Sequence, residues 1–260
     1  HCDYNPSFLG QAPEPIEKNL KEIAAIIAAN DYNLGLANDG DADRIGLFDE
    51  DGNFVDSHHI LLLLLYYMFE YKKMTGKVVI TFSVTDKMKK LAEYYGLNCE
   101  VTKIGFKYIA EIMTKEDVLV GGEESGGLAV KGHIPERDGV WMGLLIMEFM
   151  AVTGKSIKQL IAEVYSKVGS FSFERDDHHI TNALKDEVMR KCKAGEIHSI
   201  GTRPVIRTES IDGYKFYLTE DEWIMVRASG TEPVLRVYAQ TPSPAQSRKL
   251  LDEAATSLMG

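Results

Sequence analysis

At 260 residues the chain exceeds the usual single-domain size, so two or three domains are expected. Apolar residues make up 45% and charged residues 26%, an ordinary globular balance, and the formal charge of −10 argues against a general nucleic-acid or anionic-membrane binder. Phosphates can still be held, but only by local clusters of basic groups and backbone N–H donors.

The chain begins at His1 without a methionine, and "HCDYNPSFLGQAPEPIEKN" reads as a loop entering a helix, at the start of a piece of a longer chain. Ile16, Leu20, Ile23, Ile26 and Ile27 recur at helical spacing and predict a helix over 15–29. "YNLGLAND" reads as a strand running into an acidic loop, and "RIGLFDEDGN" as a strand ending in a turn. A helix is expected from about 56 to 74. Its apolar core, "ILLLLLYYMF", is ten residues long, well short of the ~20 that cross a bilayer. Ser57 reads as its cap. The neighbouring "DSHH" has no evident acid to orient a reactive serine–histidine pair.

Strands follow at 76–84, 98–104 and 118–122, separated by a helix that Asp86 caps and by "GFKYIAEIMTKE". Strands alternating with helices imply a doubly wound parallel or mixed α/β sheet. From 138 to 168 the pattern is helical, broken at "TGKS", where Ser156 caps the second helix. After Gly169 the stretches "SFSFERDDHHI", "RPVIRTESIDGYKFYLT", "EWIMVRAS" and "VLRVYAQT" alternate like antiparallel strands, with a turn at Asp212-Gly213, and a helix closes the chain. This is a C-terminal α+β domain with an antiparallel sheet. Boundaries are expected near 54 and 168. Cys2, Cys99 and Cys192 are odd in number and widely spaced, and read as reduced thiols of a cytosolic protein.

Three loops carry chemistry. "DGDADR" sets Asp39, Asp41 and Asp43 at alternate positions, able to converge on one ion with hard anionic oxygens, which suits Mg²⁺. Arg44 beside them can pair with the carboxylates or reach a phosphate. An EF-hand register is spoiled by Arg44 where glycine is needed and by flanking strands. "GGEESGGLAVKGHIPERDG" follows an apolar strand, and its glycines let backbone approach a ligand. Glu123 and Ser125 offer an acceptor and a hydroxyl for sugar hydroxyls, and His133, Arg137 and Asp138 add polar groups. In "RASGTEPVLRVYAQ", Arg227, Ser229, Gly230 and Thr231 can form an anion nest, with Arg236 on the next strand; a plain hairpin turn reads equally well. Lys107 in "TKIGFKYI" stands at a strand-to-helix turn within reach of a phosphate or sugar oxygen, or simply in solvent.

In order and spacing, "DGDADR", "GEESGG" and "RASGTEP", with "GHIPERDG" and "GFKYI", resemble the α-D-phosphohexomutase superfamily of phosphoglucomutases and phosphomannomutases. The resemblance implies four domains around one cleft in the parent. Residues 1–54 would be the later part of domain 2 with the metal loop, 55–168 domain 3 with the sugar loop, and 169–260 domain 4 with the phosphate loop. It implies Mg²⁺ on Asp39, Asp41 and Asp43, and substrate contacts from Arg44, Lys107, Glu123, Ser125, His133 and Arg137. The non-reacting phosphate would be gripped by Arg227, Ser229, Gly230, Thr231 and Arg236.

The activity implied is transfer of a phosphoryl group between O1 and O6 of a hexose phosphate, glucose or mannose, through a phosphoserine and a bisphosphorylated sugar. That serine belongs to a "TASHNP"-like motif of domain 1, which these residues do not contain. The chain is therefore expected to be inactive alone and to partner the missing N-terminal domains of its parent. "GEESGG…HIPERDG" leans towards glucose rather than glucosamine phosphate. The alternatives are a stand-alone sugar-phosphate or Mg²⁺-binding module and a calcium-dependent structural protein.

Overall fold

A computed structural model describes residues 4–230 and 232–260, and the chain divides into two units, His1–Gly169 and Ser170–Gly260. In the first unit the helix expected over 15–29 is cut short. A 3-10 turn occupies Glu17–Asn19, and α1 runs Lys21–Ala28. Pro13 and Pro15 remove amide donors, and the Asn19 side chain binds the carbonyls of Ala12 and Glu14, so the entering segment stays extended. Strands β1 (Gly35–Asn38), β2 (Ile45–Phe48) and β3 (Phe54–Val55) form an antiparallel sheet in the order β1-β2-β3.

The leucine run becomes α2 (Ser57–Tyr66), which continues as a π-helical turn, Tyr67–Tyr71. Residues Ile60 to Leu65 are all buried. A helix apolar on every side has no face to show water, so it must be enclosed. Its cap is Asp56, whose carboxylate accepts the His59 amide at 3.0 Å, and not Ser57, whose hydroxyl donates to the Glu124 carbonyl at 2.6 Å. An orienting acid for "DSHH" does exist. Asp56 Oδ1 meets His59 Nδ1 at 2.6 Å, and His59 Nε2 meets the Tyr165 hydroxyl at 2.6 Å. The chain of contacts thus runs to a tyrosine and bypasses Ser57.

Then come β4 (Lys77–Thr81), α3 (Lys87–Tyr94), β5 (Cys99–Thr102), α4 (Phe106–Met113), β6 (Val118–Gly122) and β7 (Leu128–Val130). The sheet order is β5-β4-β6-β7, parallel except for β7, whose hairpin with β6 makes the sheet mixed. Asp86 stands at the N-cap position of α3 but makes no capping bond with its side chain; it pairs with Lys89 at 2.8 Å instead. Side chains of neighbouring strand residues face opposite ways. Ile109 of α4 packs over Gly121 and Leu61 of α2 over Gly122, so helices cover both faces. Helices α5 (Gly139–Thr153) and α6 (Ile157–Val168) complete the unit. Asp138 caps the first, and a Ser156–Gln159 capping box opens the second.

In the second unit β8 (Ser172–His179) leads to α7 (Asn182–Ala194), a helix that the strand reading of this region passed over. Its signals are present in the residues: Thr181 as cap, Gly195 in the left-handed conformation at the exit, and Val188 and Cys192 four apart in the core. Short strands β9 (Ser199–Ile200) and β10 (Arg203–Pro204) precede β11 (Arg207–Glu209), β12 (Tyr214–Tyr217), β13 (Trp223–Ala228) and β14 (Val234–Thr241). Helix α8 (Pro244–Met259) ends the chain. The sheet β11-β12-β13-β14-β8 is antiparallel throughout. Its Ile224, Val226, Leu235 and Val237 share a core with Val188 and Cys192 of α7 and Leu250, Leu251 and Ala254 of α8.

No single helix among the described residues is long and apolar enough to cross a membrane. Burial pushes the thiols up, Cys99 to about 12 and Cys192 to about 11, which favours the protonated form of both. Cys2 lies outside the described residues.

Candidate functional site

The β1–β2 hairpin closes with Asn38 opposite Ile45, leaving residues 39–44 as a loop. Ala42 takes a left-handed φ of 61°, which turns the chain within the aspartate loop. Asp39, Asp41 and Asp43 each present an oxygen, all within 4.8 Å of one another. An ion with Mg–O distances of about 2.1 Å holds adjacent oxygens about 3 Å apart and opposite ones about 4.2 Å apart, so these residues fit it with little movement. The donors are hard oxygens throughout, which suits Mg²⁺ over zinc or copper.

Two arginines serve this loop. Arg44 donates to Asp39 through its amide at 3.0 Å and its Nε at 2.5 Å, and lies 3.8 Å from Asp43. Arg137, distant in sequence, meets Asp43 Oδ2 at 2.6 Å. Burial works against charging Asp39, yet the Arg44 hydrogen bonds outweigh it and hold the carboxyl below its usual value. Asp43 moves the other way: burial, with the charges of Asp39 and Asp41, outweighs Arg137 and raises it. Crowded carboxylates of this kind are relieved by a cation.

The loop is stitched to its neighbours through backbone. Arg44 bridges Gly127, the Ile45 amide donates to the Gly126 carbonyl at 3.2 Å, and the Gly139 amide donates to the Ala42 carbonyl at 2.9 Å. Residues 121–127, which end β6 and turn towards β7, are thereby held against the aspartates. Glu123 is buried there, and its Oε1 accepts the Gly105 amide at 2.9 Å at the start of α4. Burial pushes its carboxyl above the ordinary value, against the Gly105 hydrogen bond and Arg137. Gly127 is required by close approach: a Cβ there would lie 2.4 Å from Arg137 Cδ. The Arg137 guanidinium also faces the Phe106 ring at 5.6 Å.

Asp39, Asp41, Asp43, Arg44, Glu123 and Arg137 therefore share one region of the first unit. Ser125 is half-buried in the same turn. His133 binds Asp138 at 2.8 Å and stacks on Trp141, at the mouth of α5. Lys107 is exposed, its ammonium 5.0 Å above the Tyr108 ring. Asn38 was not expected in this region, whereas Gly105 and Phe106 lie in "GFKYI" and Gly139 ends "GHIPERDG", two stretches that carry the resemblance.

In the second unit Arg227 of β13 and Arg236 of β14 are direct cross-strand partners. Like charges placed opposite each other repel and cost stability. Asp212 approaches Arg227 at 3.4 Å and Asp177 approaches Arg236 at 3.9 Å, a partial balance. Ser229 is buried, its amide donating to the Val234 carbonyl and its hydroxyl accepting the Glu232 amide at 3.2 Å. Gly230 is exposed at the tip, and Thr231 lies outside the described residues.

Residues 1–52, 56–168 and 187–257 match, in turn, the phosphoglucomutase/phosphomannomutase alpha/beta/alpha domain II, alpha/beta/alpha domain III and C-terminal domain. A phosphoglucomutase/phosphomannomutase of Thermococcus kodakarensis is 30% identical over 245 residues, 94% of this chain and 51% of its own length. A phosphoglucosamine mutase of Methanococcus maripaludis is 32% identical, over 96% of this chain and 54% of its own. The chain thus spans about half the length of these curated relatives. A crystal structure from Thermus thermophilus, of a protein assigned as a phosphomannomutase, superposes with a TM-score of 0.83 at 34% identity, over 98% of this chain and 53% of that one. Aspergillus fumigatus N-acetylphosphoglucosamine mutase, in complex with GlcNAc-6P and magnesium, shares the fold at a TM-score of 0.58 and 16% identity, over 86% and 52%.

Proposed function

Because the chain belongs to the phosphoglucomutase/phosphomannomutase family, we propose that it supplies the metal, sugar and phosphate loops of a phosphohexomutase. That enzyme moves a phosphoryl group between O1 and O6 of a hexose phosphate, glucose or mannose. The observation that carries this is the stitching of three convergent aspartates to the Glu123 turn through Arg44, Gly127 and Arg137. Asp39, Asp41 and Asp43 would hold Mg²⁺, which when bound neutralises charge on a phosphoryl group in transit.

The chain's own residues do the rest. Glu123, fixed by the Gly105 amide, accepts from adjacent sugar hydroxyls, and Ser125 beside it adds a hydroxyl to the same turn. Arg44, already anchored on Asp39, keeps further N–H donors for a phosphate. His133, Arg137 and Lys107 add donors around the sugar. In the second unit Arg227 and Arg236, with Ser229, Gly230 and Thr231, are the residues that would grip a phosphate. On this reading the nucleophilic serine belongs to a domain other than the three that the chain matches, and these residues act as its binding platform.

Calorimetry tests this reading. Mg²⁺ should bind the chain, and Asp41→Ala should weaken that binding at least tenfold. Glucose 1-phosphate should bind more tightly than glucosamine 1-phosphate. Isomerisation of glucose 1-phosphate by the isolated chain, or Mg²⁺ binding untouched by Asp41→Ala, would refute it.

A further inference from the structure

Arg137 does more than line the sugar loop. Its Nη2 is 2.6 Å from Asp43 Oδ2, a direct link from the metal loop to the segment beyond the Glu123 turn. Its stem is pinned, with Cδ pressed over Gly127 where no side chain exists, while the guanidinium lies only loosely over the Phe106 ring, at 5.6 Å. Glu136 holds Nε only loosely, at 3.5 Å, and Nε is buried without a hydrogen-bond partner among the described residues. A pinned stem with a charged tip can swing that tip without moving the loop. An alternative partner is near, since Arg137 Cδ and Glu123 Oε2 flank the same point, 2.4 and 3.5 Å from where a Gly127 Cβ would stand.

We propose that Arg137 is a built-in competitor for the aspartate loop: its guanidinium holds Asp43 until a divalent cation takes its place, and the displaced tip then turns to the sugar-binding side. Asp43 cannot give its full charge to both partners, because a guanidinium and a divalent ion a few ångströms apart repel. Metal occupancy and readiness for a sugar phosphate are thereby coupled, and the coupling is reciprocal. Arg44 is excluded from this role because its amide and Nε both anchor on Asp39.

The inference rests on the aspartate loop being a Mg²⁺ site, and the experiment separates the two claims. Mg²⁺ is titrated calorimetrically into the 260-residue chain and into its Arg137→Met and Arg137→Lys variants. Removing one positive charge about 5 Å from a divalent ion, even at the dielectric constant of water, is expected to tighten binding about tenfold in Arg137→Met. Arg137→Lys, which keeps the charge, should stay near the parent. In parallel, Arg137 of the parent is modified with phenylglyoxal and mapped by mass spectrometry; Mg²⁺ should accelerate its modification. Equal or weaker Mg²⁺ binding by Arg137→Met, or modification slowed by Mg²⁺, would overturn the role of Arg137 while leaving the metal site standing. No Mg²⁺ binding by the parent would overturn both.

Discussion

Replacing Gly139 by alanine tests how tightly the metal loop is locked to α5. Gly139 is the first residue of the helix, and an added Cβ would lie 2.3 Å from Asn38 Nδ2, 2.5 Å from the Arg44 carbonyl oxygen and 2.8 Å from its carbon. The carbonyl cannot swing away. Arg44 is held by its amide on Asp39, by its bridge to Gly127 and by the Asn38 side chain, which donates to that same oxygen at 2.9 Å. Overpacking of this kind costs about 1–3 kcal/mol. Loss of the Gly139–Ala42 and Asn38–Arg44 hydrogen bonds adds about 1 kcal/mol each. Against this, a glycine-to-alanine change at an unstrained helical position favours the folded state by about 0.4–1 kcal/mol. The net expectation is a loss of about 2–4 kcal/mol, and at a urea slope of about 2 kcal/mol/M the midpoint falls by about 1–2 M. Asn38→Ala should not rescue the variant, because the clash with the Arg44 carbonyl remains. The sign decides the matter: a midpoint unchanged or raised means that α5 and the loop are not in the contact described.

Further outcomes follow from the charged groups. Glu123 is raised by burial, so its contribution to stability is full below the unfolded value of about 4.3 and is lost as pH rises through the folded value. Glu123→Gln should therefore unfold at higher urea than the parent near neutral pH, with the gap closing on acidification; a gap constant with pH would be contrary. Arg236→Gln removes one of two opposed arginines, and should change stability by no more than about 1 kcal/mol, in the stabilising direction. The same variant should lose most of the melting-temperature rise that inorganic phosphate gives the parent, and an undiminished rise would count against the anion cradle. For Asp56, burial opposes ionisation, but His59 and His58 hold the carboxyl well below the usual range. Asp56→Ala removes this cap and the partner of His59, with an expected loss of about 1–2 kcal/mol at neutral pH that shrinks in strong acid; circular dichroism during urea unfolding reads it.

Much of this fold could be read along the chain because its signals are local. Alternation of apolar runs with caps and glycines marked β4, β5, β6 and the paired helices α5 and α6, and the Ser156 cap was found where the residues put it. Misreadings arose where two local signals competed. Prolines and the Asn19 side chain cut short a helix whose apolar spacing was sound. Helix α7, largely polar, was masked by the strand-like stretches around it. Ser57 lost the capping position to Asp56 because the Glu124 carbonyl, distant in sequence, claims its hydroxyl.

The aspartate spacing made a convergent set of hard oxygens legible, since alternate residues of one tight loop can reach the same point, as Asp39, Asp41 and Asp43 do here. Which cations balance those oxygens was a tertiary matter. Arg137 reaches Asp43 only because β6 and β7 turn Gly127 against Arg44, and because Gly139 lets α5 start beneath the loop. Likewise, the opposition of Arg227 and Arg236 depends on strand register, which no run of residues discloses by itself. Local geometry is written in neighbours, whereas the pairing of charges is set by which distant backbones hydrogen-bond to one another.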